Sequence, residues 1–409
     1  MLYNIGIYLY GLLVYLTFPF NRKAHLFVRG RKNWKKNLTQ KIISGSKYIW
    51  FHCASLGEFE QGRPLIEKVK ESYPDYKILL TFFSPSGFEI RKNYDGADII
   101  SYLPIDTPRN VKSFFDIVKP EKIFFVKYEY WYNYISEAKH RKIPLYVVSA
   151  IFRPGQLFFK SNLIGNWYRK TLQSIEHFFV QNEESDKLLS KIGLKNVTIS
   201  GDTRFDRVAS IASSAKTISF IERFKDAKPL VVIGSSWAPD EELLIRFINQ
   251  SEGVKFVIAP HEVLDSNVAR IKNSLKKQVE QYSKIQKLDP KIYDVVIIDS
   301  IGMLSSIYQY GEIAYIGGGF GVGIHNILEA ATFGLPIIFG PNYRKFKEAN
   351  DLVELKGAFP VLNYEELEQI LSNLLANSEK LRRLSDVTKN YVDQNQGATQ
   401  IIINKVFIF

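Results

Sequence analysis

The chain has 409 residues, 46% hydrophobic and 23% charged, which excludes a disordered protein and allows two or three domains with sizeable cores. A single cysteine, Cys53, excludes an internal disulfide framework, and the six histidines show no metal-ligand spacing. The net charge is +12, but nine positive charges (Arg22, Lys23, Arg29, Arg31, Lys32, Lys35, Lys36, Lys41 and Lys47) fall in residues 22–47, before the first acidic residue. The basic character is therefore local, and this run holds no nucleic-acid recognition module; no nucleic-acid partner is expected.

Residues 1–20, MLYNIGIYLYGLLVYLTFPF, carry no charge and are just long enough to cross a bilayer as a helix. The basic run follows the apolar stretch, the reverse of a secretory signal, and keeps residues 22 onward on the cytoplasmic side. The segment reads as a single span or as an apolar helix lying in the interface. Beside an anionic surface each Lys or Arg adds about 1 kcal/mol. A buried N-terminal helix with a solvated basic face is the alternative.

From residue 47 short apolar runs alternate with amphipathic stretches. KYIWFHCAS, KILLTFF, DIISYLP, KIFFVKYE, PLYVVSA, HFFVQ and VTISG read as strands, with helices between them such as EFEQGRPLIEKVKESYP and TPRNVKSFFDIVKP. Buried runs separated by helices of this length predict βαβ units and a parallel sheet. The pattern lapses over 206–228, which then carries a polar helix ending at AKP, a candidate linker. It restarts at PLVVIGSS and continues through KFVIAPH, VVIIDS, EIAYIGGG, LPIIFGP and GAFPVL. The fold class expected is α/β with two Rossmann-like domains facing a central cleft, and ligands beyond the carboxyl ends of the strands. The expected division is an apolar helix and basic segment over 1–46, a first domain over 47–205, a linker over 206–228, a second domain over 229–390, and a C-terminal helix or tail over 391–409.

In the second half, YIGGGFGVGIHNILEAATFGLPIIFGP (315–341) is the strongest motif. Gly317, Gly318 and Gly319 let backbone approach a ligand closely, and a helix starting near Asn326 offers free N–H groups to a phosphate. Asn326 and Glu329 share one face of its first turn, where the carboxylate can accept hydrogen bonds from ribose hydroxyls. A capped helix explains those two residues equally well but not the glycines. Ser235 and Ser236, Pro260 and His261, and Ile301 to Met303 also stand at strand ends, each readable as an ordinary helix cap. No D-x-D pair follows a first-half strand and no P-loop is present, so metal-independent chemistry is expected.

In the first half, Glu58 follows the first strand at a glycine turn. A carboxylate there can take a proton from an attacking hydroxyl, or can simply sit at a helix N-terminus, where acids are favoured. Glu129 occupies the equivalent place after a later strand. Arg204, in SGDTRFD, can neutralise a leaving phosphate or make a surface ion pair.

S-L-G-E at 55–58, S-P-S-G at 84–87, Y-E-Y-W at 128–131, G-D-T-R-F-D at 201–206 and G-G-G…H-N-I-L-E at 317–329 occur in the order seen in bacterial 3-deoxy-D-manno-octulosonic acid (Kdo) transferases, which this chain resembles over nearly its whole length. The resemblance implies a GT-B fold and an inverting, metal-independent glycosyltransferase without a cofactor. It implies transfer of Kdo from CMP-Kdo to the glucosamine 6′-hydroxyl of a tetraacyl lipid A precursor. The enzyme would work at the anionic cytoplasmic face of the inner membrane. By the same resemblance Glu58 is the general base, Glu129 and Arg204 stabilise the transition state, and Pro260, His261, Ile301, Gly302, Met303, Asn326, Ile327, Leu328 and Glu329 bind CMP. The chain departs from the family at Trp237, where His is usual, after Pro260, where an Arg is usual, and at Met303, where Glu is usual. These departures rank Ser235 and Ser236 lower as contacts. Two rivals stand beside this reading: another GT-B transferase using a UDP-sugar and a lipid acceptor, and a non-catalytic nucleotide-binding protein of the membrane surface.

Overall fold

A computed structural model describes residues 2–285 and 289–408. The chain divides into two compact units, Met1–Arg207 with Gln396–Phe409, and Val208–Asn395.

The first unit holds a seven-stranded parallel sheet in the order β3-β2-β1-β4-β5-β6-β7. Its strands are β1 (Lys47–Cys53), β2 (Tyr76–Phe82), β3 (Ile99–Tyr102), β4 (Lys122–Val126), β5 (Leu145–Ala150), β6 (His177–Val180) and β7 (Val197–Ile199). After Lys47 every residue of β1 is buried, because helices cover both faces of a parallel sheet. The connecting helices begin where the sequence supplies caps. Ser84 precedes Pro85–Arg91 and Thr107 precedes Pro108–Val118, each with proline in the first turn, where its missing N–H is harmless. In the second of these, Val111, Phe114, Phe115 and Val118 recur at helical spacing and are buried.

The second unit repeats the architecture, with order β10-β11-β9-β8-β12-β13-β14. Its strands are β8 (Leu230–Ser236), β9 (Lys255–Pro260), β10 (Val279–Gln281), β11 (Val295–Ile297), β12 (Ile313–Ile316), β13 (Ile337–Phe339) and β14 (Ala358–Pro360). The short, half-buried β10 is absent from the sequence expectation.

Two expected boundaries move. Residues 206–228 carry most of helix Arg204–Ser213 and the expected helix, Ser219–Lys225, which is not wholly polar: its Phe220, Ile221 and Phe224 are buried. The expected C-terminal helix is Ala398–Phe407, and it groups with the first unit. Asp206 accepts the Gly397 and Thr399 N–H groups at 2.6 Å each, and Ile402, Ile403 and Val406 join the core against Ile49 and Phe124.

At the N-terminus, helix Leu2–Thr17 leaves Leu2, Ile5, Leu9, Leu12, Leu13 and Leu16 exposed. The Tyr3 hydroxyl donates to Asp106 at 2.5 Å, and Asn133 donates to Asn4 at 2.9 Å, fixing one face to the domain. Among the described residues no single helix is long and apolar enough to cross a membrane; this helix and Arg22–Arg31 pass that test only as a pair bent by 118°. Arg31 does not belong to the solvated basic run. It is 8% exposed, donates to the Leu103, Phe83 and Phe27 carbonyls, and lies 3.5 Å from the Phe27 ring centre. Burial pulls its guanidinium down to about 9.

Candidate active site

In the first unit the strand order reverses between β1 and β4, and the turns beyond these two strands carry Glu58 and Glu129. After β1, Ser55 caps helix Leu56–Ser72: its Oγ accepts the Gly57 N–H at 3.3 Å and its hydroxyl donates to the Glu58 carboxylate. The S-P-S-G turn closes on this one. Ser84 N–H donates to the Ala54 carbonyl at 2.7 Å, and a Cβ on Gly87 would lie 2.3 Å from the Phe82 ring. Gly57 is different. A Cβ there would meet Ser55 Oγ at 3.8 Å and nothing closer, so packing does not require glycine at this position.

Glu129, its side chain 12% exposed, is held from behind. Trp131 Nε1 donates to its Oε2 at 2.6 Å, and His52 Nε2 lies 3.4 Å from the same oxygen. Glu129 and Trp131 line an aromatic cleft of about 500 Å³ with Tyr128, Tyr130, Phe158 and Tyr3.

Arg204 is oriented by Asp202, which accepts its backbone N–H and its Nε at 2.9 Å each and is itself 7% exposed. The rest of G-D-T-R-F-D is structural. The Thr203 hydroxyl donates to the Gln61 carbonyl and lies 2.8 Å from Ser149 Oγ, while Asp206 caps the C-terminal helix. Burial pushes the Tyr128 phenol up, and Arg153, Glu58 and Arg204 all act on it electrostatically.

In the second unit the reversal falls between β8 and β12. Gly317, Gly318 and Gly319 are buried, with Gly318 at φ +92°. Asp240 pins this loop: it accepts the Gly318 N–H at 2.9 Å, the Trp237 N–H at 3.0 Å and the Tyr315 hydroxyl at 2.9 Å. Burial pushes the Asp240 carboxyl up against those three bonds, which favour its charged form. The strand ends bring three rings together. Trp237 stacks on His261 at 4.5 Å, His261 on His325 at 4.3 Å, and Trp237 Nε1 donates to His325 Nε2 at 3.0 Å.

Pro260 ends β9 and His261 is exposed beside it. Ile301 is 93% exposed and Gly302 has φ +96°, in the turn after β11; Met303 precedes the short helix Leu304–Ile307. Asn326 accepts the Leu328 N–H at 3.2 Å and donates to Glu329 at 3.1 Å. Ile327 and Leu328 are fully buried, so their side chains belong to the core and only their backbone can reach a ligand. The helix that follows, Leu328–Ala331, has four residues, too short to add a helix dipole to the free N–H groups expected there. Ser236 is also structural, donating to Glu241 at 2.8 Å. Among the described residues no three His, Cys, Asp or Glu side chains form a group able to hold a metal ion.

Sequence reasoning missed His52, Tyr128, Trp237, Asp240 and His325 as members of these clusters. Burial, and then the charge of His261, pull His325 down to about 4. A base whose folded pKa is depressed supports stability above its unfolded value of about 6.5, and that support is lost as pH falls toward about 4. Thermal melts of the whole chain should therefore decline over that window, with a shallower decline for His325→Gln. Parallel slopes for the two proteins would contradict the stack.

Residues 28–207 match the family profile of 3-deoxy-D-manno-octulosonic-acid transferase (kdotransferase). The chain is 28% identical to the 3-deoxy-D-manno-octulosonic acid transferase of Aquifex aeolicus (strain VF5), over 82% of this chain and 88% of that one. It is 26% identical to the enzyme of the same name from Haemophilus influenzae, over 87% and 86%. Among solved structures, UDP-GlcNAc 2-epimerase from Neisseria meningitidis superposes with TM-score 0.59 at 17% identity, covering 88% of this chain and 99% of that one. That likeness concerns the fold alone, the α/β pair of Rossmann-like units of the GT-B type.

Proposed function

From its similarity to the Kdo transferase family, we propose that this chain moves Kdo from CMP-Kdo to the glucosamine 6′-hydroxyl of a tetraacyl lipid A precursor. The transfer inverts the anomeric centre and uses no metal or other cofactor. Glu58 takes the proton of the acceptor hydroxyl as that oxygen attacks the anomeric carbon, and the bond to the CMP phosphate breaks in line. Arg204, oriented by Asp202, offsets charge on the departing phosphate, and Glu129 stabilises the transition state from the neighbouring turn. The Trp237–His261–His325 stack, with the glycine loop that Asp240 holds, receives the nucleotide.

The observation that carries this reading is the pairing of Glu58 and Glu129 on the turns after two adjacent strands, where the sheet reverses. The exposed apolar face of Leu2–Thr17, followed by basic residues, supports work at the cytoplasmic face of the bacterial inner membrane. The test is product mass after incubation with freshly generated CMP-Kdo and tetraacyl lipid A precursor, with and without EDTA. Kdo-sized mass increments, unchanged by EDTA, are expected. No increment from CMP-Kdo, with transfer from a UDP-sugar, would overturn the donor assignment.

A further inference from the structure

Behind Glu129 lie three buried side chains to which the proposed transfer gives no role: Trp50, Thr81 and His52, each 0% exposed. They form a hydrogen-bond chain with a direction. Trp50 Nε1 can only donate, and it lies 2.7 Å from Thr81 Oγ1. Thr81 therefore accepts there and must place its own proton elsewhere. Within reach are His52 Nδ1 at 2.9 Å and the Phe51 carbonyl at 3.4 Å, and the shorter contact is the better bond. With Nδ1 accepting, the neutral imidazole carries its proton on Nε2.

That nitrogen lies 3.4 Å from Glu129 Oε2 and makes no hydrogen bond, although it is sealed from water. The opposite tautomer would donate from Nδ1 to the Thr81 carbonyl at 3.2 Å and turn a lone pair onto the carboxylate, an unfavourable arrangement in a buried site. Around the imidazole stand the Trp50 and Phe125 rings, Thr81 and Glu129, and of these Glu129 supplies the charge.

We infer that His52 is a positioning residue for Glu129. The Trp50–Thr81–His52 chain selects the tautomer that offers an N–H to Oε2, the oxygen that Trp131 also holds at 2.6 Å. A small turn of the imidazole would engage its N–H as a second donor to that oxygen, fixing the carboxylate and leaving Oε1 for substrate, where it would accept hydrogen bonds from a polyhydroxylated sugar. The inference rests on the reading of Glu129 as part of the transfer site.

The test joins a spectroscopic readout to kinetics on the full chain. In protein labelled with 15N-histidine, the resonance missing from His52→Leu should show the Nε2–H tautomer, and Thr81→Val should shift it toward Nδ1–H. Transfer should fall about 10- to 100-fold in His52→Leu, on the scale seen when a partner orienting a site group is lost. His52→Gln restores an N–H donor and should stay within about threefold of wild type. CMP affinity should be unchanged in all three variants. An Nδ1–H tautomer in wild type, full activity in His52→Leu, or a Gln variant as poor as the Leu variant would overturn the inference. If wild type transfers no Kdo, the functional reading falls and the tautomer measurement still decides the relay. If wild type transfers and Glu129→Gln is equally active, the function stands and the inference falls.

Discussion

Glu58→Gln should reduce transfer about 10²- to 10⁴-fold, the usual contribution of a positioned general base, while leaving the fold intact. The expectation of an intact fold comes from the turn itself. Ser55 Oγ donates to the Glu58 side chain, and a glutamine carbonyl accepts the same bond. Loss of one acid from the first turn of Leu56–Ser72 costs about 1 kcal/mol at most. Melting temperature should therefore stay close to wild type, and so should CMP affinity, because the glycine loop and the ring stack lie in the second unit. Single-turnover transfer read by product mass, beside a calorimetric CMP titration, separates the cases. A variant that binds CMP and transfers nothing identifies the base. A fully active variant reduces Glu58 to a helix-terminal acid and moves the search for the base to Glu129.

How much of this could be read from the chain depends on how far apart the partners lie. The strands of both sheets were legible because a parallel strand is covered on both faces and reads as an unbroken apolar run, as in KYIWFHC. Glu58, Glu129 and the glycine block were legible because each stands directly after such a run. β10, three half-buried residues long, leaves no such trace. The boundaries failed for a different reason. Ile402, Ile403 and Val406 form one face of a helix, but nothing local says that Phe124 is its partner. Asp240 reads as an ordinary acid at a helix start, and its role comes from Tyr315 on β12 and Gly318 in the turn after it. His52 likewise reads as a histidine lost in a core strand until Thr81 and Glu129 are brought beside it. Conversely, the Asn326 helix was anticipated in place but not in length, because the turn ends after Ala331.

Gly319→Ala should destabilise the protein by about 3 kcal/mol, on the scale of forced overpacking, and lower the melting temperature on the order of 10 °C. The reason is space rather than dihedral angle. A Cβ on Gly319 would lie 2.5 Å from the nitrogen and 2.6 Å from the Cα of Gly340, and backbone cannot swing aside as a side chain can. These two glycines close the ends of β12 and β13 against each other, so the extra carbon must push the strand ends apart. The same displacement disturbs the loop that Asp240 pins through Gly318, and CMP affinity should fall with stability. Gly57→Ala is the control. Its Cβ would meet a single atom at 3.8 Å and the residue lies within helix Leu56–Ser72, so its melt should match or slightly exceed wild type. The two alanines thus separate a glycine that makes room for backbone, Gly319, from one that packing does not require, Gly57. A Gly319→Ala protein that melts like wild type would show that the strand ends yield, and the glycine block would then need another reason.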